Sequence, residues 1–74
     1  MLTLSPSRRL YVCLEPADMR KSVDGLAAVA RGQAGNEGLE GHLFPFRNRR
    51  GDRLKVLFWD RNGFCILYKR LERG

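Results

Sequence analysis

The spacing of apolar residues changes twice along the chain. They run unbroken from Leu10 to Leu14, recur at helical intervals from Met19 to Ala30, and gather from Leu43 to Leu71 in short strand-length runs separated by polar turns. The first run, Leu10-Tyr11-Val12-Cys13-Leu14, is rich in β-formers and is stopped by Glu15-Pro16, which predicts a strand of five residues. Met19, Val23, Leu26, Ala27 and Ala30 then share one face of a helix expected over Met19–Arg31, with Asp18 as its N-cap. Gly25 inside that helix costs roughly 1 kcal/mol against alanine and is expected to mark a close approach to the sheet.

This placement puts Arg20 and Lys21 in the first helical turn, where the dipole disfavours cations. Two readings stay open. Asp18 and Asp24 can neutralise both charges locally, or the free N–H groups and the two cations together form a site for an incoming anion.

Residues 32–41, GQAGNEGLEG, have glycine at every third position but neither the proline of a collagen-like repeat nor the Lys-Ser/Thr pair of a phosphate loop. They read as a flexible connector. Beyond it, Leu43-Phe44-Pro45-Phe46 predicts a strand whose proline calls for an edge or an irregularity. Leu54 to Trp59 predicts a second strand, apolar on both sides. Asp60-Arg61-Asn62-Gly63 is a turn carrying the Asn-Gly hairpin signal. Phe64 to Leu71 closes the pattern, with Phe64, Ile66 and Tyr68 on one face and Cys65, Leu67 and Leu71 on the other.

The expected fold is α+β, in the order β-α-β-β-β: one helix on a mainly antiparallel sheet ending in a three-strand meander. It forms a single domain over residues 1–74, divided into an N-terminal arm (1–9), strand plus helix (10–31), connector (32–41) and meander (42–74). A sheet this apolar on both faces needs more cover than one helix supplies, so a homo-oligomer through the uncovered face or edge, or a further C-terminal segment, is expected.

Charge adds a partner to this picture. The net charge is +6, and residues 38–74 hold nine cations against four anions while residues 1–37 hold five against four. The meander is therefore the half that faces a polyanion. Arg47, Arg49, Arg50, Arg53 and Lys55 cluster around one hairpin loop with only Asp52 to offset them, and arginine's planar fork suits phosphate. Four such contacts would give log K against log salt a slope of about −4. Phe44, Phe46, Phe58, Trp59, Phe64 and Tyr68 interleave with this charge; strand aromatics of this kind form a core or, in single-strand binders, a stacking platform.

No apolar run approaches the roughly 20 residues of a membrane-spanning helix, and Arg8-Arg9 precedes no signal-like segment, so a cytoplasmic location is expected. Cys13 and Cys65 read as reduced core thiols, and with His42 the single histidine no structural zinc is expected. Asp18, Asp24, Asp52, Asp60 and Glu72 could gather around magnesium as in a nuclease, but each has a simpler capping, pairing or turn role. Neither catalysis nor a cofactor is expected.

Several ordered blocks resemble a known family: Asp18-Met19-Arg20-Lys21-Ser22-Val23-Asp24-Gly25-Leu26-Ala27, Gly41-His42-Leu43-Phe44, Arg50-Gly51-Asp52-Arg53-Leu54-Lys55-Val56-Leu57, Trp59-Asp60, Asn62-Gly63 and Lys69-Arg70-Leu71-Glu72-Arg73-Gly74. These are similar to the TnpB accessory proteins of the insertion-sequence sixty-six family of bacterial transposable elements. The resemblance runs from Leu10 onward. It implies an accessory role in DNA transposition beside a separate transposase, with DNA and that transposase as partners and no catalytic residues. On this reading Arg47, Arg49, Arg50, Arg53 and Lys55 contact phosphates, and Arg20 with Lys21 forms a second anion site. The alternative is a module that docks on the transposase without touching DNA. Family members continue into an aromatic and basic tail, of which this chain, ending at Gly74, is read as a shortened form.

Overall fold

A computed structural model describes residues 10–35 and 38–72, and the expectations for the arm, for Asn36-Glu37 and for Arg73-Gly74 lie outside them. Among the described residues one helix, α1 (Val23–Ala34), precedes three strands, β1 (Leu43–Arg47), β2 (Arg53–Asp60) and β3 (Gly63–Arg70). The strands form an antiparallel sheet in the order β1-β2-β3. The α+β class and the meander stand as expected.

Alternation sorts the side chains onto two faces. Phe44, Phe46 and Leu57 lie on one face and are wholly buried against Leu26, Ala27, Ala30 and Ala34 of α1. The small side chains of α1 let the helix come close to the sheet, and Leu39 from the connector closes the cluster. The opposite face carries Pro45, Leu54, Val56, Phe58 and Cys65, all half-buried, and Leu67, 55% exposed. Among the described residues no second helix or sheet packs on this face, although Leu43, which shares it, is buried.

The first expected strand is not one. Leu10 makes a single parallel bridge with Leu43, and residues 11–14 carry no regular structure. The register explains this. The Leu71 N–H donates to the Asp52 carbonyl at 2.8 Å, and Asp60 pairs with Gly63, so even residues of β2 bond toward β3 and odd ones toward β1. Leu57 and Lys55 pair with Phe44 and Phe46, which leaves the backbone groups of Leu43, Pro45 and Arg47 on the outer edge. There the carbonyls of Leu43 and Arg47 accept the N–H groups of Tyr11 at 2.9 Å and Ala17 at 2.7 Å. Pro45 between them has no N–H to continue a ladder. The segment is pinned at both ends and bulges between them, with Tyr11 and Cys13 turned onto the core while Leu10, Val12 and Leu14 are 61%, 57% and 83% exposed.

The helix starts four residues later than expected. The Asp18 carboxylate accepts the backbone N–H of Arg20 at 2.9 Å, and its carbonyl accepts that of Lys21 at 3.0 Å, so residues 18–21 form a turn that competes with the helix. Ser22 becomes the N-cap, without a side-chain cap bond. Arg20 and Lys21 therefore lie outside α1, and the conflict with its dipole disappears: Asp24 occupies the first turn and Arg31 the last. Nor does Gly25 meet the sheet, since a Cβ there would approach the Lys21 stem at 3.2 Å. The helix runs on through Gly32 because Ala34 extends its buried face, and Gly35 ends it at φ 60°. In the β2–β3 turn the two loop residues are Arg61 and Asn62, with Arg61 at φ 56° and Gly63 already in β3. The turn therefore spans Asp60–Gly63 as expected, with Arg61-Asn62 rather than Asn-Gly at its centre.

Candidate nucleic-acid interface

The basic hairpin is the five-residue connection from Asn48 to Asp52 between β1 and β2. Asn48 organises it. Its Oδ1 accepts the Arg53 N–H at 3.0 Å, its Nδ2 donates to Asp52 Oδ1 at 2.6 Å, and its carbonyl accepts the Gly51 N–H at 3.2 Å. Gly51 sits at φ 75°, a conformation that side chains disfavour. The Asn48 amide bond, with Arg50 and Arg53 nearby, holds the Asp52 carboxyl below its usual range, so this anion stays charged inside the loop.

The five cations assigned to this hairpin divide. Arg49, Arg50 and Arg53 are exposed, and among the described residues their guanidinium groups make no hydrogen bond or close ion pair, although Arg50 and Arg53 lie near enough to Asp52 to lower its pKa. Arg47 turns back, donating through Nη2 to the Leu14 carbonyl at 2.6 Å and through Nη1 to that of Asn48 at 3.4 Å. Lys55 lies on the helix-covered face, where Nζ donates to the carbonyls of Met19 at 2.7 Å and Lys21 at 3.0 Å. It also stands over the Tyr68 ring, 5.7 Å from the centroid. Lys55 thus ties the 18–21 turn to the sheet.

Arg70 was missed by sequence reasoning. It stands directly opposite Arg53 across β2–β3, a like-charge pair that costs stability unless an anion offsets it. Glu72 partly does so, at 2.7 Å from Arg70. Arg50, Asp52, Arg70, Leu71 and Glu72 line a shallow depression here. The signal was available in principle: fixing the β2–β3 turn fixes the register, and the register places Arg70 beside Arg53.

The second expected anion site lies on the same side of the sheet, because Lys55 holds its turn two residues along β2 from Arg53. Arg20, however, is paired. Its Nε and Nη2 donate to the Asp18 carboxylate at 3.0 and 2.8 Å, and these bonds, with the Arg20 backbone N–H, lower the Asp18 pKa to about 2. Lys21 is exposed. The aromatic residues divide: Phe44 and Phe46 are fully buried in the core, and Phe64 packs against it while meeting Trp59 edge-on at 4.9 Å. Tyr68 alone of the six is half exposed.

The carboxylates do not gather. Among the described residues no group of three or more His, Cys, Asp or Glu could hold a metal ion, and no helix is long and apolar enough to cross a membrane. Cys13 and Cys65 are free thiols.

The chain is similar to two curated proteins of Sinorhizobium fredii, both described as uncharacterized. One, y4jC, is 36% identical over 73 residues, covering 96% of this chain and 62% of its own length. The other, y4hO, is 36% identical over 74 residues, covering all of this chain and 64% of its own length. The chain thus spans less than two thirds of these relatives. No solved structure matches it. The family model described as IS66 Orf2 like protein matches residues 8–74, nearly the whole chain, and by that match the chain belongs to the IS66 Orf2-like family.

Proposed function

We propose that the protein is a non-catalytic accessory factor of DNA transposition that acts in the bacterial cytoplasm beside a separate transposase and grips duplex DNA through the tip of its β1–β2 hairpin. The observation that supports this best is the ordered hairpin tip with three exposed arginines whose guanidinium groups make no hydrogen bond, Arg49 and Arg50 in the loop and Arg53 at the start of β2. Such a ribbon tip can straddle a phosphate backbone or enter a groove. Arg70 adds a fourth cation beside Arg53 when an anion displaces Glu72, and Lys21 with Arg20 offers a further contact on the same face. Arg47 and Lys55 shape the platform instead, because their donors are already directed at protein carbonyls.

With three phosphates neutralised, log K falls with log salt at a slope of about −3. Duplex binding measured from low to high salt should give that slope in the parent and about −1 in Arg49→Ala/Arg50→Ala. No affinity at low salt, or a slope the substitutions leave unchanged, would refute the reading. A second reading, docking on the transposase without DNA contact, is favoured by the exposed Leu10, Val12, Leu14 and Leu67. Co-purification with transposase by a chain that fails the salt test would support it.

A further inference from the structure

Among the described residues the register leaves β3 as an open edge. Even residues of β2 bond toward β3, so the odd residues of β3 bond back and the backbone groups of Phe64, Ile66, Tyr68 and Arg70 point outward. Five consecutive apolar residues, Phe64 to Tyr68, lie along this edge, with Leu67 and Tyr68 55% and 50% exposed. Natural edges are usually shortened, bent or charged to prevent pairing. This one is eight residues long, and its cations, Lys69 and Arg70, are confined to one end.

We infer that the edge pairs with the same edge of a second copy, antiparallel about a two-fold axis at Ile66, to give a continuous six-stranded sheet. The sequence of the edge selects this partner and this register. The apolar stretch is centred on Ile66, so a two-fold there sets Phe64 against Tyr68 of the other copy and Cys65 against Leu67, each pair on one face of the sheet. The outward backbone groups at 64, 66 and 68 meet their counterparts as roughly six hydrogen bonds. Charge agrees with the same placement: Lys69 falls opposite Gly63 and Arg70 opposite Asn62, so cations of the two copies meet neither each other nor the apolar centre. A shift by one symmetric step, to an axis at Leu67, sets Arg70 against Phe64 and Lys69 against Cys65, and desolvates both charges. The dimer edge and the arginine hairpin meet only at Arg70, which stands opposite Arg53, so substitutions at the centre of the edge test the dimer without altering Arg49, Arg50 or Arg53.

The test uses the native cysteine. Cys65 and Leu67 of the two copies form a non-hydrogen-bonded pair with Cα atoms about 4.5 Å apart, within the range a disulfide spans. Mild oxidation of Leu67→Cys should therefore give a covalent species of twice the monomer mass, and adding Cys65→Ser should abolish it. Tyr68→Pro removes an outward N–H while leaving the β2–β3 ladder intact; it should halve the mass measured by sedimentation and keep the circular dichroism of the parent. The inference is overturned if the parent is monomeric up to its solubility limit, if Tyr68→Pro remains dimeric, or if the Leu67→Cys cross-link persists without Cys65.

Discussion

Lys55 offers the sharpest separation between a side chain that binds DNA and one that holds the fold. Its ammonium donates to the Met19 carbonyl at 2.7 Å in a part-buried position and to the Lys21 carbonyl at 3.0 Å in an exposed one. Lys55→Met keeps most of the stem and removes both donors. A hydrogen bond to a charged group contributes about 1.5–3 kcal/mol where it is shielded and much less where water competes. The first bond therefore dominates, and the loss should be about 2 kcal/mol, a large share of the roughly 4–11 kcal/mol that a chain of this size commands. Urea unfolding followed by the fluorescence of Trp59, the single tryptophan, reads this directly. With a slope near 1 kcal/mol/M for a small domain, the midpoint should fall by about 2 M. The slope of DNA affinity against salt should not change, because no phosphate contact is lost. A midpoint shift below about 0.5 M, or a salt slope reduced by about 1, would refute the assignment and return Lys55 to the phosphate-contacting set.

Three further outcomes are expected. Asn48→Ala should cost about 1–2 kcal/mol by leaving the loop without its two side-chain bonds, raise the Asp52 pKa toward its ordinary value in a carboxyl NMR titration, and weaken DNA binding without altering its salt slope; a lowered slope would mean that Asn48 does more than order the loop. Pro45→Val restores an N–H on the outer edge of β1, and hydrogen exchange should show a newly protected amide at position 45 together with slower exchange over residues 11–14; an unprotected amide would show that Pro45 is not what interrupts the ladder. The Asp18 carboxyl, held at about 2 by Arg20, has a folded pKa below its unfolded one, so its stabilising effect is complete above the ordinary value of 3.8 and is lost as pH falls through about 2; Arg20→Ala should return its titration toward 3.8, and an unmoved midpoint would mean the pair does not persist in solution.

Periodicity located the helix and three strands because each buries a face whose repeat matches its geometry, and alternation alone placed Phe64, Ile66 and Tyr68 on one side of β3. It failed where a single backbone group decides. Whether Leu10–Leu14 becomes a strand depends on the missing N–H of Pro45, more than thirty residues away, and on the parity that turns that position outward. The helix start failed for a local reason: a side chain suited to capping, Asp18, is equally suited to closing a turn, and the Met19 and Lys21 carbonyls that such a turn exposes find Lys55 on a distant strand. A pattern of residue types contains both possibilities. The tertiary donor selects between them.

The same limit governs the candidate site. Arg47, Arg53 and Lys55 are equivalent in a count of charge, yet β pairing gives them different surroundings. Arg47 lies on the outer edge, where an irregular segment presents the Leu14 carbonyl to it. Lys55 points under the helix start, where two more carbonyls wait. Arg53 is left facing Arg70, with Glu72 engaged by Arg70 and the nearby Asp52 carboxylate bonded to Asn48. Regular structure consumes its own carbonyls, so cations are drawn inward where the chain is irregular and remain available where the ladder is complete. By that rule, the two irregular passages flanking this sheet, residues 10–17 and 18–21, account for the two cations lost to the proposed interface. The complete β2–β3 ladder accounts for the Arg53–Arg70 pair that the proposed interface retains. A charge cluster in a small sheet protein is therefore best weighed by first asking which neighbouring segments have unspent carbonyls.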